Sequence, residues 1–305
     1  MKKALFRAAL AFSAAAALAG CAGQPALQSL NGDDIPYVLR KPDGNGPFAA
    51  VVVMHDCSGM SARYGSGIEN RWAQELVKQG YVTLMPDSFS KRGFPQGLCK
   101  VQKENWGALK KLPLVRSQDA LGALAYLRTL PYVDGNRVGI MGGSSGGIST
   151  VAAIAIQDKL AGPGHGFASA VALYPGCEGG WWQGVGVART PRKGKGPFVY
   201  SHAKPFNPGA PMLILAGELD DWTPAGFCQE LAKASAGSKY PIRIKIYPGA
   251  HHAFDSMRPV SYNPQFANGY AENGWGATVG DDPAARADAE SQVRDFFAKT
   301  LKRAD

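Results

Sequence analysis

Apolar runs five to seven residues long alternate along this chain with stretches whose apolar positions return at helical spacing. The runs fall at 35–39, 49–54, 81–85, 137–141, 168–174, 211–216 and 242–247. Two of them, Ala50-Val51-Val52-Val53-Met54 and Met212-Leu213-Ile214-Leu215, are apolar at every position. Strands covered on both faces need that pattern, whereas strands with one wet face alternate. Between the runs, helices are predicted at 70–79, 117–129, 145–157, 224–235 and 283–301. Ala120, Leu121, Leu124 and Leu127 form one stripe at helical spacing, and Val293, Phe296, Phe297 and Leu301 form another. Strand and helix in alternation specify a mostly parallel sheet with helices on both faces.

Two stretches fit neither period. Residues 177–211 hold Gly, Pro, Trp181, Trp182 and the basic residues Arg189, Arg192, Lys193 and Lys195, and read as an insertion between two strands. Residues 254–282 are rich in Gly, Asn and aromatics. Both follow a strand and therefore rise at the carboxyl edge of the sheet, where open α/β folds bind ligands. No internal repeat or linker interrupts the rest, so a single domain is expected over residues 21–305.

The first twenty residues stand apart. Lys2, Lys3 and Arg7 precede an apolar stretch from Leu10 to Ala19 that is too short to span a bilayer. Leu18-Ala19-Gly20-Cys21 resembles the lipobox of bacterial lipoproteins, which implies a signal peptide over 1–20 and lipidation of Cys21. Ala22 stands where an inner-membrane retention signal would place Asp, which points to the outer membrane, facing the periplasm. An ordinary secretory signal is the alternative, and either way the chain is exported.

The composition supports a folded protein: 45% of the 305 residues are hydrophobic and 19% charged, unlike a disordered chain. Gly (38) and Pro (21) are unevenly spread, which excludes collagen-like and low-complexity chains. Loss of Lys2, Lys3 and Arg7 with the leader lowers the net charge from +9 to +6. The basic run at 189–195 reads as a solvated loop, and no nucleic-acid motif accompanies it. Beyond Cys21, the cysteines are Cys57, Cys99, Cys177 and Cys228, an even number that suggests two disulfides in an oxidising compartment. No pair has zinc-type spacing, and neither metal nor cofactor is expected.

The chemistry is concentrated at three strand ends. The strand at 137–141 runs into Gly142-Gly143-Ser144-Ser145-Gly146-Gly147 and then a helix, the context of a nucleophile elbow. The serine needs a sharp turn, and the flanking glycines let strand and helix approach without a Cβ clash. Both Ser144 and Ser145 satisfy G-x-S-x-G; Ser144 is favoured because the strand ends at Met141. A serine needs a base and a group that orients the base. Gly217-Glu218-Leu219-Asp220-Asp221 follows one later strand and Pro248-Gly249-Ala250-His251-His252 another, in the chain order serine, acid, histidine. An oxyanion hole would combine the Ser145 N–H with the N–H of Cys57, from His55-Asp56-Cys57-Ser58-Gly59 after the second run. His55 either borders the pocket or, the favoured reading, makes a structural hydrogen bond behind it.

These residues resemble the dienelactone hydrolase family of α/β-hydrolases, through 138–147, Gly217-Glu218-Leu219-Asp220, Gly249-Ala250-His251-His252-Ala253-Phe254 and Pro86-Asp87-Ser88-Phe89. The resemblance implies a single-domain α/β-hydrolase fold with catalytic Ser144, Asp220 and His252. The family's histidine stands two before Phe, here Phe254, and its acid matches Asp220 by distance to Pro224. The namesake enzymes carry Cys in the elbow and Glu in the oxyanion loop. Here Ser144 and Asp56 stand at those positions, which favours a general carboxylic ester over dienelactone. Exported relatives of this type imply the pairs Cys57–Cys99 and Cys177–Cys228. The expectation is a lipid-anchored serine esterase acting on a small-molecule ester, with Trp181 and Trp182 lining the pocket. The alternatives are an envelope binding protein that lost the chemistry, and a peptidase or acyltransferase.

Overall fold

The computed structural model describes residues 26–60, 67–100, 112–178, 187–190, 199–202 and 205–301. The Cys21 segment, Trp181 and Trp182 and the basic residues 192, 193 and 195 lie outside them. Strand β1 (Tyr37–Arg40) precedes β2 (Phe48–Met54), α1 (Gly67–Lys78) and β3 (Val82–Pro86). Helix α2 (Leu112–Arg128), β4 (Val133–Gly143), α3 (Ser145–Leu160) and β5 (Ser169–Leu173) follow. The chain continues through β6 (Val187–Thr190), β7 (Val199–His202), β8 (Met212–Gly217), α4 (Ala225–Ala234) and β9 (Arg243–Tyr247). It ends with β10 (Ser261–Ala267), β11 (Trp275–Val279) and α5 (Pro283–Leu301).

Seven strands form the central sheet in the order β1-β3-β2-β4-β5-β8-β9. Every neighbour pair is parallel except β1 with β3, so β1 closes one edge antiparallel. The period-two geometry of β2 divides its side chains between two cores. Ala50, Val52 and Met54 pack with Leu121 and Leu124 of α2, Ile154 of α3 and Phe227 of α4. Ala49, Val51 and Val53 pack with Trp72 of α1 and with Val293 and Phe297 of α5. Both faces are thus covered by helices, which is why these strands carry no polar alternation.

The two irregular stretches each contain a small antiparallel pair outside this sheet, β6 with β7 and β10 with β11. The second gives no strand signal because β10 is largely exposed, Pro264 interrupts it, and the register slips between Asn263 and Ala267. The β10–β11 hairpin matters to the site because it bridges its two sides. Ala267 N–H donates to the Cys99 carbonyl at 3.3 Å, and Gly280 N–H donates to the His252 carbonyl at 3.0 Å. Both disulfides form as the family resemblance implied, Cys57–Cys99 and Cys177–Cys228. The first ties the loop after β2 to the segment between β3 and α2, and the second ties the exit of β5 to α4.

Candidate active site

Strand β4 passes into α3 through one residue, Ser144, with φ 53° and ψ −120°. A non-glycine residue at positive φ is strained, and the surroundings dictate it here. Ser144 N–H donates to the Leu173 carbonyl of β5 at 3.0 Å, and the Ser144 carbonyl accepts from Ile148 N–H at 2.9 Å. A Cβ on Gly146 would collide with the Met54 carbonyl oxygen, so only glycine lets α3 approach β2 this closely. The turn residue is therefore Ser144. Ser145 is the first helical residue, and its Oγ accepts a 2.7 Å hydrogen bond from Arg116 Nη1.

The loop after β8 presents Asp220 and the loop after β9 presents His252, both buried. Asp220 Oδ2 lies 2.9 Å from His252 Nδ1. Its other oxygen accepts from the backbone N–H groups of Trp222 at 3.0 Å and Thr223 at 2.7 Å, which fix the carboxylate. Neighbours that competed for these roles in sequence are engaged elsewhere. Asp221 accepts from Thr278 N–H (2.8 Å) and Oγ1 (2.9 Å) in β11, Glu218 accepts from Gly249 N–H (3.0 Å), and His251 Nδ1 lies 3.1 Å from the Leu219 carbonyl. The His252 ring is held between Tyr174 and Trp222, with centroids 4.7 and 4.9 Å away. Its Nε2 is buried and makes no hydrogen bond within the described residues.

Sequence reasoning missed Thr223. Its Oγ1 lies 2.9 Å from Asp220 Oδ2, 3.0 Å from His252 Nδ1 and 2.9 Å from the Tyr174 carbonyl, so it braces the acid–base pair from within the Asp220 loop and ties it to the end of β5. Its position three residues after Asp220 was the available signal, since an Asp commonly accepts from N–H groups two and three residues on. Tyr174 and Asp255 were missed as well. Tyr174 adopts φ 36° at the end of β5 and donates its hydroxyl to Asp255 Oδ1 at 2.8 Å, and Trp72 Nε1 donates to Asp255 Oδ2 at 2.6 Å.

The loop after β2 forms the opposite wall. Its Cys57 is fixed by the bridge to Cys99 and by Leu98 N–H, which donates to the Cys57 carbonyl at 2.6 Å. His55, read from the sequence either as pocket lining or as a structural hydrogen-bonding residue, makes its hydrogen bonds within this wall. It is fully buried, with Nδ1 2.8 Å from the Asp56 carbonyl and Nε2 accepting from Ser88 N–H at 3.2 Å. Burial and the nearby Arg116 cation push its pKa down to about 3, so it stays neutral. Arg116 also donates to the His55 carbonyl. Burial lowers the guanidinium to about 10, so it remains a cation at neutral pH. Burial, then the Asp56 carboxylate, push Glu69 well above the usual carboxylate range. Among the described residues no group of three or more His, Cys, Asp or Glu is arranged to hold a metal ion.

The strained serine thus stands at a strand–helix junction, and the buried Asp–His pair at two later strand ends. The family model of the dienelactone hydrolase family matches residues 35–301. The chain belongs to the dienelactone hydrolase family. Relatives include a Yersinia pestis protein named "Putative carboxymethylenebutenolidase", 24% identical over 245 residues that make up 80% of this chain and 81% of that one. Among solved structures, that of a "Putative Dienelactone Hydrolase" from Klebsiella pneumoniae superposes with a TM-score of 0.60 at 20% identity, covering 91% of this chain and 98% of that one. Thermogutta terrifontis esterase 2 phosphoramylated by tabun superposes at 0.55 and 15% identity, covering 92% and 96%. The last two show a shared fold, and the family places the protein among hydrolases.

The neutrality of His55 has a pH signature. Its folded pKa, about 3, lies below the value of 6.5 for free imidazole, so the unfolded chain binds the extra proton between them. Stability from this group is therefore present above 6.5 and lost as pH falls towards 3. The gap in urea unfolding free energy between wild type and His55→Gln, which cannot titrate, should shrink by about 2 kcal/mol from pH 7 to pH 5. An equal gap at both pH values would show that His55 is not buried neutral.

Proposed function

We propose that this protein is a serine hydrolase that cleaves carboxylic esters through an acyl-enzyme on Ser144. The observation that carries the reading is the strained Ser144 backbone, which holds the side chain at the edge where Asp220 and His252 are already hydrogen-bonded. His252 Nε2 takes the Ser144 proton as Oγ attacks the carbonyl, and Asp220 fixes the tautomer with Nε2 free and stabilises the imidazolium. The oxyanion develops towards the N–H of Ser145, at the positive end of α3, and the N–H of Cys57. His252 then protonates the leaving alkoxide, and water, deprotonated by the same nitrogen, releases the acid. Trp222, which stands against His252, borders the side on which the leaving group departs.

Serine in the elbow favours a general ester over the lactone of the namesake enzymes. Asp56 supports this, because its Oδ1 is taken by Ser58 N–H (2.7 Å) and Ser58 Oγ (2.5 Å) in its own loop. The reading extends to the cell envelope: Leu18-Ala19-Gly20-Cys21 would anchor the domain by a lipid on Cys21. Trp181 and Trp182 belong to the same proposal as lining of the acyl or leaving-group pocket.

Labelling with a fluorophosphonate tests the chemistry. The modified peptide should contain Ser144, and Ser144→Ala should abolish the label while Ser145→Ala keeps it. Label on Ser145 would shift the nucleophile by one residue, and no label on folded protein would favour a binding protein. A second expectation concerns Thr223. Thr223→Val should lower kcat on a p-nitrophenyl ester by about tenfold, roughly 1.4 kcal/mol, with KM within about twofold. An unchanged kcat would remove Thr223 from the account.

A further inference from the structure

One cation lies behind both walls of the proposed oxyanion hole. Arg116, in the second turn of α2, is fully buried, and its guanidinium reaches across to two other elements. Nη1 donates to Ser145 Oγ at 2.7 Å, and Nη2 donates to the carbonyl of His55, two residues before Cys57. The ring of Phe89 lies under the guanidinium at 4.9 Å, and the edge of His55 meets the same ring at 4.5 Å between centroids.

The unusual feature is what Arg116 lacks. A buried guanidinium is ordinarily paired with a carboxylate, because its desolvation costs several kcal/mol. Among the described residues, no carboxylate lies within ion-pair distance of Arg116, and its Nε has no partner. The carboxylate one turn along α2, Asp119, is occupied by Arg92, whose Nη1 and Nη2 approach its two oxygens at 2.7 and 2.8 Å. Asp56, Asp119 and Glu69 act on Arg116 only through space, and Glu69 is held towards its neutral form. For packing alone an apolar side chain of similar length would serve better. A positive charge with no carboxylate in direct contact is useful where negative charge develops during a reaction.

We propose that Arg116 is the positioning residue of the oxyanion hole: it fixes the separation of the loop carrying Cys57 from the helix end carrying Ser145, and places a cation behind the developing oxyanion. The inference rests on the serine hydrolase reading above. Arg116 touches no reacting atom. It acts through the carbonyl of His55 and the hydroxyl of Ser145, each of which orients the strand of backbone that supplies a donor. Neither contact would follow from the catalytic triad alone.

The test compares wild type, Arg116→Gln, Arg116→Lys and Ser145→Ala on an oxoester and on the thionoester of the same acid and alcohol. Sulfur is a weak hydrogen-bond acceptor, so a thionoester gains little from an oxyanion hole. Arg116→Gln should lower kcat on the oxoester by roughly ten- to a hundredfold with KM nearly unchanged, and lower the thionoester rate much less. Arg116→Lys, which keeps the charge and loses the two-pronged reach, should fall between. Ser145→Ala keeps the N–H and removes one acceptor, so it should show the same selectivity in smaller degree. It decides the question if the Arg116 variants do not fold. Equal losses on both substrates, or no loss, would overturn the inference while leaving the esterase reading intact. Failure of the wild type to label on Ser144 would instead overturn that reading and this inference with it.

Discussion

The constraint on which the site depends is that β4 must become α3 within a single residue. A residue at φ 53° without glycine's freedom costs on the order of 1–3 kcal/mol, so the turn persists only where its surroundings leave no alternative. They are the hydrogen bond from Ser144 N–H to Leu173 in β5 and the close approach of Gly146 to the end of β2. The strain is thus held by the centre of the sheet, where strands are buried on both faces and cannot yield. The proposed chemistry centres on the side chain that this turn carries.

Three other strand ends supply the remaining proposed groups, and each is fixed by a different device. The loop after β2 is pinned by the Cys57–Cys99 bridge and by His55, neutral and bonded through both ring nitrogens. The loop after β8 is folded about Asp220, whose oxygens collect two backbone N–H groups, a threonine hydroxyl and the imidazole. The loop after β9 is fixed by Tyr174 and Trp222 around the His252 ring. The β10–β11 hairpin joins the first of these to the last. Each loop is thus held by contacts of its own side chains and backbone as well as by the strand it leaves.

Much of this was legible along the chain because both-face burial leaves a plain signature. The run 49–54 became β2 (Phe48–Met54), and 211–216 became β8 (Met212–Gly217). The elbow was legible because a strand, a Gly-rich turn and a helix in succession leave few alternatives. Choosing Asp220 over Asp221, and His252 over His251, needed the family pattern, since neighbours one residue apart differ only in the direction a loop turns them. Arg116 was invisible for a related reason. It precedes the predicted start of its helix at 117, and nothing local distinguishes a cation that turns inward from one that meets water. Glu69 is buried by the fold around it, and the largely exposed β10 has no apolar alternation to betray its hairpin.

The central claim, that Ser144, His252 and the two backbone donors form one reactive unit, is tested most directly by the crystal structure of the domain after reaction with an organophosphonate. The account predicts phosphorus bonded to Ser144 Oγ, with the phosphoryl oxygen accepting hydrogen bonds from the N–H groups of Ser145 and Cys57 at about 2.7–3.1 Å. His252 Nε2 should stand within hydrogen-bond reach of the serine or leaving-group oxygen. An adduct on another residue, or a phosphoryl oxygen turned away from both N–H groups, would contradict it.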